Sequence, residues 1–348
     1  MLKERNKSMG RGQSSKVVAR EICSVLSAGT RTYGHLDEVL GPEEAEGGGA
    51  GDGRSVLLCV KEKVDDDVDV PVTYGVCLVD TVCGVVTLGQ FQDNRQRSRL
   101  RTLVAKYMPT EVVLEHLGHS RETEGVLSLL VPRSPQEILR GGEMPSAESA
   151  WAIFQEKNYF RRGNGVEGQG EDPWEGVPAL YRMIYEGLAV HHSDKAQGAA
   201  GGSAVECSDL VMSALGGAMW VLQRALIDFE ILSLGRCYAY VPPDMTNDST
   251  ASSLGQSARG ERDRTGDCPA WSDVTGLPEE GVREGCNCMV LDSITLANLE
   301  VFTTTADRSS EKGSLWQFLN RTKTAFGRRL LRDWVSKPLF KPQDIAYR

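Results

Sequence analysis

The sequence predicts an α/β domain followed by a region that is entirely α-helical, with glycine-rich insertions that we expect to be disordered. Three observations lead to this fold class. Residues 74–79 form an almost continuous apolar run, and residues 85–91 return after a short turn, which is typical of a β-hairpin inside a core. Residues 95–107 carry apolar side chains at helical spacing. A long apolar stripe then begins near Ser208.

The α/β domain follows from the order of the predicted elements. Residues 56–60 are a short apolar strand that precedes the hairpin, and the helix at 95–107 ends before Pro109. The full order is β-β-β-α-β-α, over residues 56–60, 74–79, 85–91, 95–107, 112–114 and 122–131. This order is the opening of an RNase-H-like fold. Two further helices are predicted at residues 151–160 and 177–190.

The stripe from Ser208 predicts one long helix that reaches Leu232. Its apolar residues alternate in steps of three and four, at Met212, Leu215, Met219, Leu222, Leu226 and Phe229. Such a narrow stripe favours a helix that packs lengthwise against another helix. The adjacent Gly216 and Gly217 allow a close approach of the neighbouring element.

The C-terminal helix has clear start and stop signals. Thr324 is a candidate cap for its first turn, and Pro338 ends it. Two neighbouring rows form its apolar face, made of Phe326, Leu330 and Trp334 and of Gly327, Leu331 and Val335. Only ten residues follow Pro338, which are too few to cover this face, so we expect the chain to stop inside a larger protein.

Composition limits the classes of function. The chain has 348 residues, a net charge of -9 and a pI of about 5.3, so it is not as a whole a basic nucleic-acid-binding surface. The nine cysteines are scattered, and Cys286 and Cys288 are the one close pair, which favours reduced thiols over a zinc site. We find neither a signal peptide nor an apolar run of about 20 residues that would span a membrane.

Two linked motifs near the C-terminus carry a family resemblance. Residues 291–300 read Leu-Asp-Ser-Ile-Thr-Leu-Ala-Asn-Leu-Glu, and residues 324–339 contain Thr-x-Phe-Gly-x-Arg-Leu-Leu-x-x-Trp-x-x-x-Pro-Leu. Both resemble the start of the core, or lever, domain of MutS-family mismatch-repair proteins. Residues 16–22, 74–81, 101–109 and 213–217 also resemble this family, and the last two are most similar to the larger subunit of the eukaryotic MutSα dimer.

The resemblance implies a division of the chain. Residues 1–54 would be a disordered N-terminus, the tail of the mismatch-binding domain and a linker. Residues 55–205 would be the RNase-H-like connector domain. Residues 206–348 would be the start of the all-α lever domain, interrupted by a disordered insertion at about 244–287.

The resemblance also implies a function for the whole protein. Members of the family bind mismatched duplex DNA as a heterodimer of MutS homologues in the nucleus, use ATP and magnesium, and recruit MutL-type proteins. This chain lacks a Gly-x-x-x-x-Gly-Lys-Ser/Thr phosphate loop, and its one Phe-x-Glu sequence, at residues 154–156, lies within the predicted helix 151–160 and outside the part that resembles the mismatch-binding domain. We therefore expect it to link the DNA and ATPase sites mechanically, without catalytic, cofactor-binding or metal-binding residues of its own and without enzyme activity.

One alternative is a metal-dependent nuclease. Asp80 and Glu115 end two predicted strands, and carboxylates at such strand ends hold two metals about 4 Å apart in RNase-H-like nucleases. The competing interpretation makes Asp80 a turn residue and Glu115 a solvated strand end. A further alternative is a stand-alone interaction module that has lost its ATPase.

The remaining candidates favour structural roles. A metal role for His116, His119, His191 or His192 has no supporting cysteine spacing, and Cys286 has no identified base. We expect Trp151, Trp220, Trp316 and Trp334 to pack in cores. Contact with phosphate is one possibility for Arg328, Arg329 and Arg332, and a solvated or inter-domain face is the other. The acidic run 65–69 is expected to be a solvated loop.

Overall fold

The computed structural model describes residues 22, 25–31, 55–64, 72–132, 134–140, 142–160, 177–184, 209–242, 289, 291–306, 311–340 and 342–347. The predicted disordered or loop segments 1–13, 41–54, 65–69, 163–170, 191–203 and 244–287 lie outside these residues. So do His191, His192, Cys286 and Cys288.

A six-stranded mixed sheet forms the centre of the α/β domain. Its strands are β1 (Val56–Val64), β2 (Val72–Asp80), β3 (Val85–Asp93), β4 (Glu111–Glu115), β5 (Gln136–Leu139) and β6 (Cys237–Ala239). Their order across the sheet is β5-β4-β1-β2-β3-β6. The first three strands are antiparallel neighbours, whereas β4 runs parallel to β1, β5 to β4 and β6 to β3. The mixed sheet expected from the β-β-β-α-β-α order is confirmed.

Helices cover both faces of this sheet. One face packs against α1 (Ser98–Tyr107) and α2 (Arg121–Leu130). The other packs against α3 (Ala147–Lys157), α4 (Asp209–Ala225) and α5 (Asp228–Leu232), together with a helical turn at residues 179–184. β2 is apolar along nearly its whole length because its side chains enter both of these cores.

Helix α4 lies on the sheet, which corrects the expectation that it packs lengthwise against another helix. Twelve of its 17 residues are buried, more than one helix partner covers, because it contacts β1, β2 and α3 together. A Cβ on Gly216 would lie 2.5 Å from Cγ of Pro145, and one on Gly217 would lie 2.8 Å from Sγ of Cys59. The adjacent glycines thus permit the close approach that the sequence predicts, toward the loop before α3 and toward β1.

The boundary at residue 206 is also corrected by the fold. The residues of α4 and β6 were assigned to the all-α region, yet they share the core and the hydrogen bonds of the sheet. Strand β6 has three residues and β5 has four, and two of the four residues of β5 are polar. Strands of three or four residues are too short to show a clear alternation of apolar and polar side chains, so the sequence analysis predicts neither of them.

Helix α4 ends seven residues before the predicted end, at Ala225. Leu226 takes the left-handed conformation, with φ of 62°, and N–H of Ile227 donates to the carbonyl of Leu222 at 3.1 Å. This is a Schellman-type stop, which glycine usually provides. A leucine at this position gives no signal of a helix end, so the apolar spacing in the sequence continues past the residue where the helix stops.

Replacing Leu226 by glycine tests this helix end. Leu226 is half exposed, and a left-handed conformation costs a non-glycine residue about 1–2 kcal/mol. Glycine removes that strain but costs about 0.5–1 kcal/mol of chain entropy. We therefore expect Leu226→Gly to leave the free energy of unfolding unchanged or to raise it by up to about 1 kcal/mol, measured by urea denaturation. Leu222→Gly, at a fully buried position one turn earlier, is the matched variant that should lose about 3 kcal/mol or more. A comparable loss in both variants would contradict the helix end.

A smaller helical segment follows from residue 289 onward. It contains α6 (Ser293–Asn298), α7 (Leu315–Leu319), α8 (Ala325–Ser336) and α9 (Pro342–Tyr347). The hydroxyl of Thr324 accepts the N–H of Gly327 at 3.3 Å, which confirms the predicted cap of α8. A third apolar cluster holds the segment together around Trp316, whose side chain is fully buried.

The two rows of the apolar face of α8 have different surroundings. Leu331 and Val335 pack against the Trp316 cluster. Phe326, Leu330 and Trp334 are each 40% exposed or more, so the described part of the chain leaves this row largely uncovered. Among the described helices we find none with the length and apolar character needed to cross a bilayer.

Candidate functional site

The two carboxylates of the nuclease hypothesis lie at opposite ends of the sheet. Asp80 pairs with Val56 at the start of β1, whereas Glu115 directly follows Leu114, the partner of Val60. Five residues of strand separate the two positions, or about 16 Å. Carboxylates this far apart cannot hold two metals that are about 4 Å apart. A nuclease site built on Asp80 and Glu115 is therefore wrong, because β4 runs parallel to β1 and β2 runs antiparallel to it, so the ends of β2 and β4 lie at opposite edges of the sheet.

Both carboxylates have local structural partners. Oδ1 of Asp80 accepts the N–H groups of Val82 and Cys83, each at 3.0 Å, and so closes the hairpin turn. Glu115 forms an ion pair with Nζ of Lys61 at 2.5 Å. His119 places Nδ1 2.8 Å from the carbonyl oxygen of Glu115. Across the described residues, no group of three or more His, Cys, Asp and Glu side chains is arranged to hold a metal ion.

A buried polar cluster lies at the end of the sheet where Glu115 is found. Glu62 of β1 accepts the N–H and the hydroxyl of Ser120, each at 2.8 Å, and is paired with Nη2 of Arg97 at 3.5 Å. The side chains of Glu62 and Arg97 are 1% and 6% exposed. Tyr74 shares a 2.5 Å hydrogen bond with Thr123, and burial raises the pKa of its phenol. The cluster joins two strands to the starts of α1 and α2.

Asp93 fixes the start of α1 from the end of β3. Its carboxylate accepts the N–H groups of Asn94, Arg99 and Leu100 at 2.8, 3.2 and 2.9 Å. Burial raises the pKa of this carboxyl, and the three N–H groups oppose that rise. The one sequence signal for this role is the position of an aspartate shortly before a helix.

Helix α1 also forms the contact between the α/β domain and the helical segment. Its inner side packs on the sheet through Leu100, Leu103 and Val104. On its other side, Ala105 enters the apolar cluster of Leu296, Val301, Phe302 and Trp316. We call this second contact the α1 interface.

One further contact supports the α1 interface, and a second lies beside it within the helical segment. Nζ of Lys337, at the end of α8, lies 5.8 Å from the ring centroid of Tyr107, at the end of α1. Within the helical segment, N–H of Met289 donates to the carbonyl of Pro338 at 2.6 Å. The C-terminal end of α8 thus contacts the C-terminal end of α1, and Pro338, which follows α8, is hydrogen-bonded to Met289.

Arg332 lies inside the helical segment, which corrects its expected place on a solvated or inter-domain face. It is 5% exposed, and its guanidinium carbon is 4.4 Å from the ring centroid of Phe302 and 5.3 Å from that of Trp316. Glu311 pairs with both Arg332, at 3.3 Å, and Arg328, at 3.2 Å. Contact of Arg332 with phosphate is therefore excluded in this arrangement, because aromatic rings and a carboxylate already surround it.

The four tryptophans do not all pack in cores as expected. Trp316 is fully buried and Trp151 is partly buried against the core of α3 and α4. Trp220 and Trp334 are 37% and 40% exposed. Helical spacing predicts that both side chains belong to an apolar side of their helix, but it cannot show whether a neighbouring element covers that side.

Comparison with known proteins identifies both folded parts. Residues 55–160 match the family model described as MutS domain II, and residues 294–348 match the model described as MutS domain III. The first range covers β1 to α3 of the α/β domain, and the second covers the helical segment from α6 onward.

Similar proteins align with most of this chain. DNA mismatch repair protein Msh6 of Gallus gallus is 34% identical over 95% of the chain, and Msh6 of Homo sapiens is 32% identical over 93%. DNA mismatch repair protein MSH3 of Mycosarcoma maydis is 29% identical over 77%. The chain spans about one fifth of the length of these relatives, at 21%, 20% and 20%. Matches to two domains of one family, with Msh6 relatives aligned along nearly the whole chain, show that the chain belongs to the MutS family.

Proposed function

We propose that this chain is part of a DNA mismatch-repair protein, in which it connects a site for mismatched duplex DNA to a site for ATP. The similarity to Msh6 and to MutS domains II and III supports the mismatch-repair role. On this proposal the complete protein binds DNA in the nucleus as a heterodimer with a second MutS homologue and recruits MutL-type proteins. ATP and magnesium are bound by other parts of the complete protein.

The α1 interface is the observation that supports a connecting role. A signal passes between two sites when each ligand favours a different packing of the elements between them. Helix α1 is suited to this because one side belongs to the sheet core and the other belongs to the Trp316 cluster. A shift of α1 changes both contacts together. The residues of this chain, on this proposal, transmit force and perform no bond chemistry.

Ala105→Glu separates the two contacts of α1. Ala105 is 8% exposed within an apolar cluster, so a carboxylate there has no partner and opposes docking of the helical segment. The side of α1 that packs on the sheet is unchanged. Ser98→Glu is the matched control, because it places the same side chain at an exposed position in the first turn of the same helix, where a negative charge is favourable.

We expect both the gene deletion and Ala105→Glu at the native locus to raise the frequency of base substitutions and of single-nucleotide slippage in repeats. Ser98→Glu should match the wild type, with equal protein levels in all strains by immunoblot. A deletion that leaves the mutation frequency unchanged overturns the mismatch-repair proposal. A deletion with an effect, combined with an Ala105→Glu strain that behaves as the wild type, overturns the connecting role alone.

A further inference from the structure

A small groove opens on the outer surface of the α/β domain, between α3 and α4. It is lined by Glu143, Ile153, Gly216, Met219, Trp220 and Gln223. The groove and the α1 interface lie on opposite sides of the sheet, because α3 and α4 cover one face and α1 covers the other. Nothing in the connecting role uses it.

The lining combines an apolar surface with one aromatic ring and one carboxylate. Met219 and Ile153 supply apolar contact, and Trp220 exposes 37% of its surface although the rest of its helix is mostly buried. Glu143 accepts the N–H of Arg140 through Oε2 at 2.7 Å, which fixes the carboxylate at the rim. A long side chain with an apolar stem and a positive head fits this lining, because the stem can contact Met219 and Ile153 while the head meets Trp220 and Glu143.

The neighbouring cation does not neutralise Glu143. Both guanidinium Nη atoms of Arg224 are bound by the two carboxylate oxygens of Glu137, one of them at 2.6 Å. The hydrogen bonds that Arg224 donates to Glu137 are the main cause of the raised pKa of Arg224, and the charge of Glu143 is the smallest of the causes. The charges of Arg224 and Glu137 cancel, so the groove retains the negative charge of Glu143.

We propose that this groove binds a lysine or arginine side chain that is presented by an extended segment of a partner protein. The aliphatic stem lies against Met219 and Ile153, and the cationic head lies between the indole of Trp220 and the carboxylate of Glu143. A site of this size holds one side chain and contributes a small part of a larger interface. The exposed indole of Trp220 and the carboxylate of Glu143 give the groove selectivity for a cation over a neutral chain of similar length.

Three peptides that differ at one position test the charge requirement. The full chain is labelled with 5-fluorotryptophan, and the 19F signal of Trp220 is assigned with the Trp220→Phe variant. The probes are Gly-Gly-Ser-Xaa-Ser-Gly-Gly with lysine, norleucine or glutamate at the central position. We expect the lysine peptide to shift the Trp220 signal in a saturable way at millimolar concentration. Norleucine, which has nearly the same shape without the charge, should bind about fivefold more weakly, and glutamate should give no shift.

Two carboxylate variants test the position of the charge. Glu143→Gln keeps an oxygen for the N–H of Arg140 but removes the charge, and we expect it to weaken lysine-peptide binding about fivefold. Glu156→Gln, at an exposed position on the same helix as Ile153, should bind as the wild type. Equal binding of the lysine and norleucine peptides, no shift with any peptide, or equal weakening in both variants would each overturn the proposal.

Discussion

Gly75→Ala is expected to lower the free energy of unfolding of the α/β domain by about 3 kcal/mol. A Cβ at this position in β2 would lie 2.2 Å from the carbonyl carbon of Leu210, 2.3 Å from its oxygen and 2.5 Å from the nitrogen of Val211. All three are backbone atoms of the first turn of α4, so no side-chain rotation relieves the overlap. The helix must lift from the sheet, and its buried residues lose contact with β1 and β2.

Urea denaturation followed by far-ultraviolet circular dichroism measures this loss. Gly125→Ala is the matched control, since Gly125 lies in the middle of α2 and a Cβ there would have no neighbour within 4 Å. Alanine at an unobstructed helix position is expected to raise stability by about 0.5–1 kcal/mol. Opposite signs for the two substitutions support the close packing of α4 on β2. A Gly75→Ala variant as stable as the wild type would contradict that packing.

Gly75 also shows which parts of the fold can be predicted from the sequence. The strands that contain it and its neighbours were identified because their apolar runs are long and are bounded by turn residues. The need for glycine at residue 75 arises from Leu210, which is far away in the sequence. The adjacent Gly216 and Gly217 predict a close approach to the helix, but their spacing does not show that the approaching neighbours are a strand and a loop rather than a second helix.

The candidate site was less predictable than the fold for the same reason. Asp80 and Glu115 were correctly placed at strand ends, but strand direction decides whether two ends meet, and here it separates them. Arg332 lies near acidic and aromatic partners that come from residues 302–316, and helical periodicity assigned it to the polar side. Charged residues that are buried through tertiary contacts carry no local signal of burial.

Glu62→Ala is expected to cost about 3–5 kcal/mol in the free energy of unfolding, which is the range for removing one partner of a buried ion pair. Without Glu62, the guanidinium of Arg97 stays buried with no carboxylate, the N–H of Ser120 loses its acceptor, and the hydroxyl of Ser120 keeps only Oγ1 of Thr123. Glu115→Ala is a close control. It breaks the ion pair with Lys61, the residue next to Glu62, but that pair is more than 20% exposed on both sides and is worth about 0–1 kcal/mol.

The double variant Glu62→Leu with Arg97→Met separates two costs, that of leaving a buried charge unpaired and that of losing the geometry of the ion pair. Apolar residues of similar size leave no buried charge, so we expect the double variant to recover at least half of the stability that Glu62→Ala loses. The start of α1 would then be held by packing and by Asp93, and the start of α2 by packing, instead of by the ion pair. A double variant as unstable as Glu62→Ala would mean that stability depends on the geometry of the ion pair and not on avoiding an unpaired buried charge.

Because α1 carries Ala105 and Tyr107 into the α1 interface, Glu62→Ala should also speed amide hydrogen exchange in residues 291–306 more than Glu115→Ala does.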